Sequence, residues 1–195
     1  MAGYYSVLDP RGFDENAYRR YWFLDLRDDA RREFFDPWPY ISGRPVESDR
    51  ELCVAIEKPG DPLDFTYGYS FVPLIVPRVA SLLTEMAADD IQLIPARLPD
   101  GQCLFILVVI RLEDCLDYHR SDVTRFTREH ACAIGRPERE GKPHMVKQLI
   151  IDPSRTHDRK LLRVQNWSGD LIVREDIKQT LEKAAVTGVT YASVT

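Results

Sequence analysis

Between Leu112 and Phe126 the chain reads LEDCLDYHRSDVTRF, which gathers three aspartates (Asp114, Asp117, Asp122), a cysteine, a histidine and a serine into one short span. Carboxylates this close could hold a hard divalent cation through oxygen ligands. Cys115 and His119 are four apart and would share a face of a helix, where a thiol beside an imidazole is the usual pairing of nucleophile and base. Both readings have a plainer rival. The aspartates directly follow a long apolar run, where a chain leaving a buried strand becomes polar, and Asp accepts backbone N–H bonds at such turns. Thiol and imidazole couples in thiol enzymes are assembled in space rather than in sequence, and no glycine turn adjoins Cys115 to form an oxyanion site. The favoured reading is turn and capping aspartates, a buried thiol and a surface imidazole. A small hydrolase using Cys115 and His119, or a metal at Asp114 and Asp117, is the alternative.

Other chemistry-bearing residues are dispersed. His130, His144 and His157 are assigned to separate loops, with no H-x-x-x-H pair to bind zinc. Arg136, Arg139, Lys142 and Lys147 could grip an anion, but Glu138 and Glu140 interleave with them, which favours a solvated loop. Cys53, Cys103, Cys115 and Cys132 are irregularly spaced and contain no C-x-x-C pair, so reduced thiols are expected. Neither a G-x-G-x-x-G nor a G-x-x-x-x-G-K-[ST] loop is present, and no cofactor is expected.

The elements that must position these residues follow from local patterns. YYSVL at 4–8 reads as a strand closed by Asp9-Pro10, and ELCVAIEK at 51–58 as another. Between them lies a stretch rich in aromatics (Tyr18, Tyr21, Trp22, Phe34, Phe35, Trp38, Tyr40), broken by Pro37, Pro39 and Pro45. Most of those rings are expected in the core, with exposed protein-contact anchors as the other possibility. PGDP at 59–62 is the clearest candidate boundary, dividing an aromatic-rich lobe (1–60) from a core domain (61–195), the two forming one compact unit. Apolar positions from Val72 to Met86 recur at three- and four-residue steps and predict a helix. DIQLIPARL and QCLFILVVIRL flank Pro99-Asp100-Gly101, a strong hairpin signal at the centre of a sheet. Thr127–Pro143 reads as a mobile polar loop. MVKQLIID and KLLRVQNW read as strands, and the last segment as strand, helix and strand, its helix starting near Glu175 and stopping before Gly188. The fold class is α+β, a largely antiparallel sheet with two main amphipathic helices.

The formal net charge of -5 is uneven. Residues 61–140 carry eight Lys and Arg against thirteen Asp and Glu, whereas residues 141–195 carry nine against six. An acidic middle disfavours nucleic acid and suits a basic protein partner. The start of the sequence lacks a basic leader with an apolar core, and the longest apolar run, CLFILVVI, is eight residues. A cytoplasmic protein with no membrane span is therefore expected.

Three segments of the second half, VPLIVPRVASLLTEMAADDIQLIPARL, LFILVVIRLEDCLDYHRSDVTRF and HMVKQLIIDPSRTHDRKLLRVQNWSGDLIVREDIKQTLEKAAVTGVTY, resemble in sequence and order bacterial polymorphic-toxin immunity proteins of the eleventh immunity family, formerly a domain of unknown function. The resemblance runs over residues 61–192 and is carried by DCLD with Ser121, by LIIDPS and by Trp167 leading into LIVREDIKQTLEKAAVTGV. It implies a small cytoplasmic protein, not an enzyme, that binds a cognate toxin encoded beside it and neutralises it by occlusion. On local charge and expected exposure, the toxin interface is placed at Glu113, Asp114, Asp117 and Asp122 with Tyr118 as an anchor. A self-assembling structural or regulatory protein is a further alternative.

Overall fold

The computed structural model describes residues 2–10, 20–27, 36–47, 52–68 and 71–195. Tyr18, Phe34 and Phe35 lie outside them. Two sheets carry the fold. In the first, β1 (Tyr4–Leu8) lies between β12 (Trp167–Arg174) and β13 (Thr190–Ser193), and β11 (Leu161–Val164) and β8 (Leu112–Glu113) complete the order β13-β1-β12-β11-β8. The second has the order β2-β3-β6-β7-β5-β4, built from β2 (Phe23–Arg27), β3 (Leu52–Lys58), β4 (Phe65–Tyr67), β5 (Pro73–Ile75), β6 (Ile91–Arg97) and β7 (Cys103–Val109). Most pairs are antiparallel, with parallel contacts only at β3–β6 and β8–β11 among the named strands. The α+β class is thus as the sequence predicts.

The apolar run in β7 is continuous because both of its faces are covered. Leu107 and Val109 face a core shared with Val7, Leu161, Leu171 and Val173 of the first sheet, while Leu104, Ile106 and Val108 pack with Trp22, Tyr40, Leu52 and Val54 on the other side. Burial on both sides removes the polar alternation of a half-solvated strand. β6 and β7 form the expected hairpin, from Ile91 opposite Val109 to Arg97 opposite Cys103. Its turn uses Gly101 at φ +88°, and Asp100 accepts the Gln102 N–H at 2.9 Å.

Two expectations need correction. The helix expected from Val72 starts later, as α2 (Pro77–Ala87), after the short α1 (Trp38–Ile41). Residues 73–75 pair instead with β7, because Pro77 holds the preceding Val76 extended, at ψ 159°. Thr127–Pro143 is not an unstructured loop. It joins β9 (Asp122–Arg125) to β10 (Pro143–Gln148) through α3 (Arg128–Ala133) and a 3-10 turn at Pro137–Arg139, so that residues 122–148 form a two-stranded arm with a helical tip. Thr127 caps α3 by accepting the His130 N–H at 3.2 Å. The last helix, α4 (Glu175–Lys183), buries Ile177 and Leu181 against the shared core as expected.

Candidate functional site

The segment that drew attention in the sequence is a brace. Cys115 has no exposed surface, and burial, with Glu113 adding to it, pushes its thiol up to about 12. A thiol held protonated in this way is inert. His119 sits on an exposed turn, and among the described residues no hydrogen bond joins it to Cys115. Asp117 accepts the N–H groups of His119 and Arg120 at 2.9 and 3.1 Å, the turn role favoured from the sequence. Ser121 ties this turn to the next chain segment by exchanging hydrogen bonds of 2.9 Å with the backbone of Ile150. Asp122 is exposed on β9, and Tyr118 is half-buried with the Arg125 guanidinium 4.2 Å above its ring. Among the described residues no group of three or more His, Cys, Asp or Glu is placed to hold a metal.

The exposure assumed for the acidic turn does not hold for Glu113, which is only 9% exposed. Its carboxylate lies 2.7 Å from His157 Nδ1 and 3.4 Å from Arg159 Nε. Arg159 also reaches the buried Asp90 at 3.7 Å, which Arg111 approaches at 3.3 Å, and Arg155 pairs with Asp114. At Glu113 and Asp90 the carboxylates lie inside and their cations outside, whereas Asp114 and Asp122 remain exposed, so the acidic surface is smaller than its sequence suggests.

A different site is assembled where the arm approaches the two sheets. Two adjoining clefts of about 570 and about 530 Å³ share Phe71, Trp167 and Gly169. The first is walled by Val7, Leu8, Tyr67 and Val146, with Asp9 and Asp170 beside them. Trp38, Ile41, Phe126, Arg139, His144 and Asn166 line the second. Phe71 is 66% exposed and Trp38 64% exposed, unusual for large rings outside an interface. Phe71 also holds φ +64°, a left-handed backbone that costs a bulky residue about 1–3 kcal/mol. Trp167, half-buried between them, donates its indole N–H to Asp170.

On the arm side, Phe126 stacks with His144 and His130 at centroid distances of 4.4 and 5.1 Å, and the two imidazoles lie 4.5 Å apart. These histidines, assigned to separate loops from the sequence, meet because α3 folds back on β10. Beneath the clefts, the Arg163 guanidinium is wholly buried and donates from Nη1 to the carbonyls of Ser168 and Gly169 at 3.0 and 2.9 Å. Desolvation lowers its pKa to about 10, against the opposing pull of Tyr67 and Asp170.

Sequence reasoning placed Trp38 among the aromatics and Arg139 in the basic cluster without bringing them together. Phe71 carried no signal, since its exposure and backbone angle are tertiary facts. Of the expected N-terminal core rings, Trp22 and Tyr40 are buried, whereas Trp38 is not. No helix among the described residues is long and apolar enough to cross a membrane. No protein-family model matches the chain, and no curated protein matches it either.

Proposed function

We propose that this is a cytoplasmic immunity protein that binds a cognate antibacterial toxin and neutralises it by occlusion. The toxin half of this reading comes from the sequence resemblance. Its binding half is carried by one observation, the aromatic cleft in which Trp38 and Phe71 stand exposed beside Trp167. Rings presented around a concavity bury large apolar area with few rotamers to freeze, the usual composition of an interface hot spot. The strained Phe71 backbone fits a ring held out for contact.

The test is capture of the neighbouring gene's product by this protein, followed by co-expression to rescue growth from its toxicity. Phe71→Ala and Trp38→Ala should each weaken capture by about tenfold or more, a hot-spot loss of at least ~1.4 kcal/mol, while the variants stay folded. Capture and rescue that survive both substitutions would move the interface elsewhere. Failure of the wild-type protein to bind or rescue would refute the immunity reading. Sedimentation at several concentrations separates it from self-assembly through the same cleft.

A further inference from the structure

We propose that the cleft between the arm, α1 and the β11–β12 turn receives an acidic segment of a partner protein, seating an apolar side chain against Phe71 and Trp167 and a carboxylate against Arg139. The partner's identity rests on the immunity reading above; its charge is the new element, and it is opposite to what the net charge of the chain suggests.

The lining of the cleft is the first ground. Among the described residues it contains Arg139 and His144 but no Asp or Glu, in a chain with 31 carboxylates. Arg139 makes no ion pair with any described residue. Its guanidinium lies 4.6 Å above the Phe126 ring and donates to the Pro143 carbonyl at 3.5 Å, which leaves most of its N–H fork unspent. A planar fork of this kind matches a carboxylate in bidentate geometry.

The arm supplies the second ground. Residues 122–148 carry six Lys and Arg against four Asp and Glu, while the remainder carries twenty against twenty-seven. Screening confines surface charge effects to about 8–10 Å, so a partner at the cleft meets the arm's charge rather than the molecule's.

Arg163, on a different element, is the third. Its Nε and Nη2 have no hydrogen-bond partner, and no described carboxylate lies within ion-pairing distance. Placed behind Ser168 and Gly169 in a low-dielectric interior, and offset only through space by Asp170 without a direct ion pair, this charge adds positive potential to the cleft floor. Asp9 and Asp170 lie in the other cleft, and Asp170 is engaged by Ser6 Oγ at 2.9 Å and by the Trp167 indole. That contrast orients the partner, with its acidic end toward the arm.

Fluorescence anisotropy with two labelled synthetic peptides tests this. Both carry the same Leu and Phe positions, with Glu at every other position in one and Lys in the other. The acidic peptide should bind about tenfold or more tighter than the basic one, and its affinity should fall with added salt. Arg139→Gln, which keeps the stem on Phe126, should remove most of the difference, Arg139→Lys should restore part of it, and Phe71→Ala should weaken both peptides. Equal or tighter binding of the Lys peptide, no binding of the Glu peptide, or indifference to Arg139→Gln in a folded variant would overturn the proposal. The inactivated product of the neighbouring gene, run alongside, separates the two readings. If it binds and depends on Phe71 but not on Arg139, the immunity reading stands and the acidic-segment proposal falls. If only the acidic peptide binds, the reverse holds.

Discussion

Phe71 and Cys115 show how much a single residue's setting decides. An exposed phenylalanine at φ +64° has a backbone that glycine adopts without penalty. Phe71→Gly should therefore leave stability unchanged or raise it by about 1 kcal/mol in urea denaturation, while abolishing binding at the cleft. A loss of stability of ~1 kcal/mol or more would mean that the ring supports the fold instead. Cys115 makes the opposite case, a reactive residue type disarmed by burial. Its thiol is raised from an ordinary 9.0 to about 12, so between those values the folded state keeps a proton that the unfolded chain releases. The stability it contributes is complete below pH 9 and is lost as pH rises toward 12; buried Tyr67 and partly buried Tyr191, both raised by desolvation, add the same sign. Denaturation at pH 8 and pH 10.5 should show the alkaline loss, and Cys115→Ala should shrink it. In native alkylation, exposed Cys103 and Cys132 should react before Cys115, which should need denaturant. Rapid labelling of Cys115 in the folded protein would contradict this account.

Among the elements, those specified by neighbouring residues were legible in the sequence and those specified by distant ones were not. The β6–β7 hairpin could be read because Asp100-Gly101 and two apolar runs lie side by side. Strand β8 could not, since two residues, Leu112 and Glu113, become a strand only by pairing in parallel with Arg163 and Val164. Helix α3 was missed because a single buried residue, Ala131, gives no apolar period; the local signals present were Thr127 at the cap and Glu129 in the first turn. Thr127→Ala should loosen the tip by about 1 kcal/mol, seen as faster amide exchange at α3 with little change at β6 and β7. Helix α4 ends at Lys183, closed by Ala185 at φ +49° rather than by Gly188, whose role is a close approach further along the chain. Gly188 holds φ +90°, and an added Cβ would fall 1.9 Å from the Phe65 carbonyl oxygen, so Gly188→Ala should destabilise by more than about 2 kcal/mol. The candidate cleft was illegible for the same reason as β8. Its walls come from α1, the arm, the β11–β12 turn and Phe71, and no local pattern relates them.

At the scale of the whole molecule, the boundary suggested by PGDP divides sequence rather than structure. β1 lies between β12 and β13, Tyr4 donates or accepts at Thr156 Oγ1 at 2.8 Å, and Val7 enters the core shared by both sheets. Without β1, the last strand has no neighbour in its sheet. Residues from β2, α1 and β3, among them Leu24, Leu26, Tyr40, Ile41 and Val54, cover the face of β6 and β7 opposite the shared core. A fragment of residues 61–195 would expose that apolar face and leave two sheet edges open, a combination that favours aggregation. The full chain should therefore unfold in one transition, with far- and near-ultraviolet circular dichroism coincident in urea, and the 61–195 fragment should be insoluble or lack near-ultraviolet signal. A soluble fragment with native-like tertiary signal would show that the second half carries its own core. In that case the first sixty residues would be an added layer, and Trp38 would reach the cleft as a visitor from a separate unit rather than as one of its fixed walls.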